Sequence, residues 1–207
     1  DNVLIAATHT HSAPSLRGTS YLKLNEPLDE YQKFVIRRIA DGVQRAIAHL
    51  EPARIAWGEG AVPQHVFNRR WLLKDGRTAT SPFGDEERAA MNPGRYLDVL
   101  DRPAGPVNPK VYVLSVQSTA GRPIAVLANF SMHYFSDEAL SADYFGLFCE
   151  GLKTRVAAAD EEGHPPFVGV ISHGCSGDIW RRDYKVPPDA PGQQHTIESY
   201  AEGLVDI

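Results

Sequence analysis

Three histidines lie in two short motifs, His9-Thr10-His11 and Asn129-Phe130-Ser131-Met132-His133. In the first motif the imidazoles are two residues apart, a spacing that points both to the same face of an extended segment. Imidazole nitrogen is a preferred ligand of Zn²⁺. The pattern predicts either a metal or catalytic site, or polar strand ends whose histidines cap neighbouring loops.

A third motif, His173-Gly174-Cys175-Ser176-Gly177-Asp178, also follows an apolar run. Its small residues allow a sharp turn and a close approach to a ligand. Asp178 could orient an imidazole or act as a base. Ser176 could be a nucleophile, although the GxSxG pattern of a hydrolase is missing. Cys175 fits a small buried residue better than a reactive thiol.

The elements that would position these motifs alternate between strands and helices. The sequence predicts strands over 3–8, 54–57, 110–117, 124–129 and 167–171, and helices over 28–50, 143–159 and 197–207. Residues 110–117 and 124–129 are expected to pair as a hairpin, which excludes a purely parallel sheet. We therefore predict an α/β fold with a mixed β-sheet, flanking helices and a site at one end of the strands.

Residues 75–109 are rich in proline and glycine and are predicted to be a mobile loop that flanks the pocket, or else a surface excursion without a role. The sequence begins in an apolar run without an initiator Met and stops inside a predicted helix. We interpret residues 1–207 as part of a domain truncated at both ends.

Composition excludes several classes of protein. The 207 residues carry a net charge of −5, with 21 Lys and Arg against 26 Asp and Glu, which argues against a nucleic-acid partner. No apolar run approaches the roughly 18 residues of a membrane span. The sequence does not indicate an oligomeric state.

Taken together, the motifs resemble the N-terminal domain of the neutral/alkaline (non-lysosomal) ceramidases. Thr8-His9-Thr10-His11-Ser12-Ala13-Pro14 is similar to that family's THTHSGP motif. Further segments resemble family motifs in the same order, namely Asn68-Arg69, 105–109, 129–133, Ser141-Ala142-Asp143-Tyr144-Phe145-Gly146 and Ser176-Gly177-Asp178. The resemblance spans about residues 1–185.

This resemblance implies a zinc-dependent hydrolase that cleaves the amide bond of ceramide to give sphingosine and a fatty acid. It implies that His9 and His133 ligate zinc, and that the remaining ligands, a Glu and a Tyr, lie beyond residue 207. His11 would bind substrate or stabilise the reacting oxygen, and Arg69 would make polar contacts in the pocket. The resemblance also implies that the partner is a small-molecule or lipid substrate, and that the protein is exported, whether secreted, periplasmic or held at the cell surface.

One departure from the family concerns Trp180, which stands where ceramidases carry a serine. If the indole shares the pocket, it occupies space that an acyl chain would need, and Arg181 and Arg182 add charge that lipid would desolvate. We therefore predict catalytic roles for His11 and Asp178, substrate contacts from His11, Arg69 and Trp180, and poor turnover of ceramide. The alternatives are an indole that points into the core and leaves the pocket unchanged, a hydrolase of an anionic or carbohydrate substrate, and a non-catalytic ligand-binding domain.

Overall fold

The computed structural model describes residues 4–16, 27–136, 139–156, 162–193 and 195–207. Its strands are β1 (Ala53–Ala61), β2 (Phe67–Asn68), β3 (Arg70–Leu73), β4 (Ala79–Thr80), β5 (Glu86–Glu87), β6 (Ala89–Met91), β7 (Leu100–Pro103), β8 (Lys110–Ser118), β9 (Pro123–Phe130), β10 (Val168–His173) and β11 (Ile179–Trp180). Its α-helices are α1 (Glu30–Ala48), α2 (Asp143–Arg155) and α3 (Ile197–Val205), and 3₁₀ turns lie at Pro63–His65 and Gly94–Val99.

The central sheet has four strands in the order β1-β8-β9-β10. β8 pairs antiparallel with β1 and with β9, whereas β10 pairs parallel with β9. The predicted α/β fold with a mixed sheet and a β8–β9 hairpin is therefore confirmed. The parallel connection runs through α2, as a crossover between parallel strands requires.

One face of this sheet forms the main core with α2 and α3. Side chains from alternate positions of the strands meet aromatic residues of the two helices, and the largest fully buried ones are Phe130, Tyr144, Phe148 and Tyr200. Short strands extend this core towards the site, because β11 pairs antiparallel with β2.

The other face of the sheet is apolar and exposed in the described structure. Trp57, Leu114, Leu127 and Val170 are in register across the four strands, and all four are at least one-third exposed. Because successive side chains of a strand point to opposite faces, this exposed row lies on the face of the sheet opposite to the main core.

Helix α1 has the amphipathic pattern that the sequence predicts over 28–50. Asp29 begins it with a capping box. The Asp29 carboxylate accepts a hydrogen bond from the Gln32 backbone N–H, and the Gln32 side-chain oxygen accepts one from the Asp29 backbone N–H. No α1 side chain is buried within the described structure. None of the described helices is both long and apolar enough to cross a membrane.

Two expectations about local structure are wrong. Residues 4–10 form no strand, and Leu4 and Ile5 are exposed, because this apolar run has no paired neighbour in the described sheet. The loop predicted over 75–109 contains β4 to β7, with β6 and β7 flanking β3. Its prolines and glycines separate short strands, and Leu73, Ala79 and Ala90 form a second small core there.

Candidate metal centre

The three motif histidines lie at one edge of the central sheet. His133 follows three residues after the end of β9, and His173 ends the neighbouring parallel strand β10, so both leave the sheet on the same side. The segment before His9 reaches this edge too, since the Thr8 carbonyl lies 3.0 Å from His173 Nδ1.

His9, His11 and His133, which we call the histidine site, converge on one point. Their ring centroids are 4.8–4.9 Å apart, and their candidate ligand nitrogens all lie within 4.8 Å of one another. His9 Nε2 and His11 Nε2 are separated by 3.2 Å. His9 and His11 are exposed, whereas His133 is buried.

In two of these rings, the Nδ1 atom contacts a neighbouring oxygen. His133 Nδ1 lies 3.2 Å from the Ser176 carbonyl, and His11 Nδ1 lies 2.7 Å from Ser136 Oγ. Contacts of this kind fix the ring orientation of metal-binding histidines and leave the other nitrogen free for the ion. Together with His9, these two rings present three imidazole nitrogens, a ligand set that suits a metal ion such as Zn²⁺, which nitrogen binds at about 2.0–2.1 Å.

The electrostatic environment of His9 and His133 favours their neutral forms. Burial and then the Arg69 guanidinium lower the pKa of His133 to about 4. Burial and then His11 lower the pKa of His9. A metal ion needs an unprotonated imidazole, so both shifts leave the nitrogen lone pairs available at neutral pH.

Backbone strain is concentrated around the same point. Four non-glycine residues of the described chain have a left-handed φ, and three of them are His9 (57°), Ser136 (63°) and Asp143 (58°). This conformation is uncommon outside glycine and persists where surrounding contacts enforce it, which is frequent at functional sites.

The turn at Ser176-Gly177-Asp178 is held by the Asn68-Arg69 segment. The Arg69 side chain donates to the Gly177 carbonyl from Nη2 (2.8 Å) and Nε (3.2 Å), and the Arg69 backbone N–H donates to the Asp178 carbonyl. Asn68 Nδ2 donates to the Asp178 carboxylate at 2.8 Å. The contacts therefore anchor Asp178 in the turn, and it is not part of the histidine group.

Trp180 lies between the histidine site and the main core. Its ring meets His133 edge-on, with centroids 6.1 Å apart, and it also packs against the buried cluster. The Arg181 guanidinium lies 4.4 Å from the indole centroid, and that of Arg69 lies 5.7 Å away. The indole therefore contacts both the histidine site and the main core, which are the two positions that the sequence left as alternatives.

His173 and Ser176 form a second polar pair at this edge. Ser176 Oγ lies 2.6 Å from His173 Nε2, and the opposite ring nitrogen contacts the Thr8 carbonyl. Since a carbonyl only accepts, Nδ1 carries the proton and Nε2 accepts the serine O–H. Gly174 makes the close turn between them possible, because a Cβ there would lie 2.2 Å from Ser131 Oγ.

The sequence identified the three converging histidines but assigned no role to Ser136. Nothing in the local sequence marks this serine, which reaches His11 only because the chain turns left-handed after His133. The buried Asp143 belongs to a motif that carries the resemblance, yet its contact with Ser136 is visible only in three dimensions.

The fold and the site together define an α/β protein with a candidate metal centre of three histidines at a sheet edge.

No family model matches the chain. It is 24% identical over 182 residues to neutral ceramidase B of Dictyostelium discoideum, covering 86% of this chain and 23% of the relative. It is 25% identical over 189 residues to neutral ceramidase A of the same organism, covering 86% and 24%. Over 77 residues, 35% of this chain and 11% of the relative, it is 38% identical to the neutral ceramidase of Pseudomonas aeruginosa.

Two solved structures share the fold. A ceramidase complexed with C2 superposes with a TM-score of 0.56 at 20% identity, covering 86% of this chain and 25% of that one. The neutral ceramidase from Pseudomonas aeruginosa gives a TM-score of 0.51 at 17% identity, covering 84% and 24%. The chain spans about a quarter of the length of the Dictyostelium relatives. It resembles part of the neutral ceramidases in sequence and in fold.

Proposed function

We propose that this chain supplies part of the active site of a zinc-dependent hydrolase of amide (N-acyl) bonds, related to the neutral ceramidases. The observation that carries the proposal is the convergence of His9, His11 and His133, with ligand nitrogens within 4.8 Å of one another. The relatives that are named neutral ceramidases support the reaction class.

In this proposal His9 and His133 hold the metal ion. A zinc ion there supplies a Lewis acid that polarises the amide carbonyl and lowers the pKa of a water molecule. His11 presents Nε2 on the same side and contacts the reacting oxygen of the substrate. Arg69, tied to the Gly177 carbonyl, supplies polar contacts in the pocket. The catalytic role of Asp178 stays a prediction, and its contact with Asn68 supports a share in holding the turn.

We further propose that the substrate is smaller than ceramide, or anionic. Trp180 lies edge-on to His133, so its indole takes volume next to the proposed reacting centre. Arg69 and Arg181 both lie near that ring, and guanidinium groups bind carboxylates through paired hydrogen bonds. A lipid chain lying over these charged groups would remove them from water, which costs free energy.

The test combines metal content with a substrate panel. The full-length protein that contains this chain is purified with zinc, the bound metal is measured per chain, and hydrolysis is compared between ceramide in micelles and short N-acyl amino acids. We expect close to one zinc per chain and faster hydrolysis of the anionic compounds. As a control, His164→Gln changes an exposed histidine outside the histidine site and should leave both zinc content and hydrolysis unchanged.

Three results would contradict parts of the proposal. Zinc binding without hydrolysis of any N-acyl compound would favour a ligand-binding domain over an enzyme. An absence of bound zinc would remove the metal centre itself. A kcat/KM for ceramide above about 10⁴ M⁻¹s⁻¹, an ordinary enzymatic efficiency, would overturn the substrate assignment.

A further inference from the structure

A short chain of hydrogen bonds connects the start of α2 to the histidine site. Asp143, the first residue of α2, is buried and uses both carboxylate oxygens. Oδ2 accepts the Ser136 N–H at 2.9 Å, and Oδ1 accepts the Tyr144 N–H at 2.8 Å. Ser136 Oγ in turn lies 2.7 Å from His11 Nδ1.

The same corner also holds the segment that carries His9 and His11. The Ser141 N–H donates to the Ser12 carbonyl at 3.0 Å, and Ser141 Oγ accepts the Asp143 N–H at 2.9 Å. Ser12 is itself buried. Three separate parts of the chain, around residues 12, 136 and 143, are therefore fastened to one another beside His11.

This arrangement bears on which nitrogen of His11 carries the proton. A neutral imidazole has one N–H donor and one bare nitrogen that accepts. The Nε2 atom faces the histidine site, 3.2 Å from His9 Nε2, and can accept a proton or hydrogen bond there only when the ring proton is on Nδ1. A hydroxyl can donate or accept, and in this tautomer Ser136 Oγ accepts the hydrogen bond from Nδ1–H at 2.7 Å.

We propose that Ser136 and Asp143 are positioning residues that hold His11 with its proton on Nδ1 and its bare Nε2 directed at the histidine site. Asp143 acts through the Ser136 backbone, and Ser136 acts through its hydroxyl. The importance of this tautomer for hydrolysis rests on the proposed function, whereas the tautomer itself does not. The left-handed φ of both residues is the conformation that brings the two contacts together.

The backbone suggests variants that keep the fold. Ser136→Gly removes the hydroxyl at a φ of 63°, which glycine adopts freely. Asp143→Asn keeps one acceptor oxygen, and asparagine tolerates a φ of 58°. Asn92→Gly is the matched control, because Asn92 has a φ of 49° and lies outside the histidine site.

The experiment reads the tautomer directly by ¹⁵N NMR of the imidazole rings in metal-free protein at pH 7.5, with His11 assigned by the loss of its signals in His11→Gln. In the unchanged protein we expect protonated Nδ1 and bare Nε2. Ser136→Gly should move His11 towards the Nε2–H form that free imidazole side chains favour in water. Asp143→Asn should move it in the same direction by less, and Asn92→Gly should not change it.

Nitrogen shifts of His11 that stay the same in Ser136→Gly and in Asp143→Asn overturn the inference, as does a protonated Nε2 in the unchanged protein. Zinc binding, measured separately, distinguishes this failure from failure of the proposed function. If zinc binds normally and the His11 tautomer is the same in all variants, only the positioning role of Ser136 and Asp143 is contradicted. If the His11 tautomer changes as expected but the protein neither binds zinc nor hydrolyses a substrate, only the proposed function is contradicted. If both hold, Ser136→Gly should lower kcat about 10- to 100-fold with little change in KM.

Discussion

At the scale of single residues, the histidine site combines an exposed pair with a buried partner. His9 and His11 are accessible, whereas His133 is enclosed and has a pKa lowered to about 4 by burial and then by Arg69. The site therefore joins one enclosed imidazole, whose neutral form is favoured, with two imidazoles that are open to solvent. The three histidines should therefore respond differently to substitution.

The first prediction concerns this difference. His133→Gln should lower zinc affinity by more than about 100-fold, because both a ligand and its fixed orientation by the Ser176 carbonyl are lost. His11→Gln should retain most of the zinc and lose hydrolysis, since we assign His11 to the substrate. Isothermal titration with zinc measures both variants. Equal losses of affinity in the two would instead make His11 a third ligand.

The second prediction concerns Trp180. Trp180→Ser removes the indole that borders His133 and should raise the kcat/KM for ceramide by about tenfold or more relative to a short N-acyl amino acid. Steady-state assays on both substrates give the ratio. Trp57→Ser is the control, because Trp57 is an exposed tryptophan on the central sheet. An unchanged ratio in Trp180→Ser would show that the indole does not limit substrate size.

The sequence predicted that the histidines converge because each follows a predicted strand end, although in the structure only His133 follows an observed strand, β9, and no strand precedes His9 among the described residues. It could not predict the tie between Ser136 and His11, since that contact depends on a left-handed turn at a serine and on a carboxylate from another element. A left-handed φ in a non-glycine residue has no dependable signature in a single sequence.

At the scale of elements, α3 packs in the main core and also contacts His65, which follows β1. This residue ends the 3₁₀ turn at Pro63–His65, and its carbonyl accepts a hydrogen bond from the Tyr200 hydroxyl at 2.6 Å. Its ring centroid lies 4.5 Å from that of Tyr200 and 5.1 Å from that of His195, with the ring planes tilted to each other. Within the described structure neither ring nitrogen has a hydrogen-bond partner. The neutral form is favoured, and burial followed by His195 lowers the pKa of His65 to about 4.

The third prediction follows from that pKa. Between pH 6.5 and 4 the unfolded His65 binds a proton and the folded one does not. The free energy of unfolding should therefore decrease as the pH is lowered from 6.5 to 4. The contribution is about 1–3 kcal/mol by pH 4. His65→Leu should reduce the pH dependence measured by urea unfolding, and His164→Gln should leave it unchanged. An equally steep pH dependence in His65→Leu would contradict the assignment.

Regular elements were predictable where they have a consistent pattern. The hairpin of β8 and β9, helix α1 and the crossover through α2 all follow from hydrophobic periodicity. The apolar run before His9 failed as a strand because pairing needs a partner edge, which local sequence does not encode. The short strands β4 to β7 were missed because they have only two to four residues each.

At the scale of the whole molecule, the two faces of the central sheet differ in their surroundings. Phe130 on the helix-covered side is fully buried, whereas Leu114 and Leu127 on the other side are 36% and 43% exposed. Contiguous exposed apolar area of this kind is uncommon on soluble proteins. The two faces should therefore respond to substitution very differently.

The fourth prediction compares them. Leu114→Thr and Leu127→Thr should each change the free energy of unfolding by less than about 1 kcal/mol and shorten retention on a hydrophobic-interaction column. Phe130→Ala should cost about 3–5 kcal/mol, because it leaves a cavity in the main core. Urea denaturation measures all three variants. A comparably large loss from Leu114→Thr would mean that this face is covered in solution.

The placement of the three tryptophans gives the protein three distinct natural fluorophores. Trp57 is 84% exposed and should emit at long wavelength and be quenched by iodide, whereas Trp71 is 3% exposed and should do neither. Trp180 has its ring against His133, so its emission depends on the state of that imidazole. Replacing Trp57 and Trp71 by phenylalanine would leave one fluorophore beside the histidine site. Rapid mixing could then follow the arrival of an ion or a substrate at that edge in milliseconds, without a label.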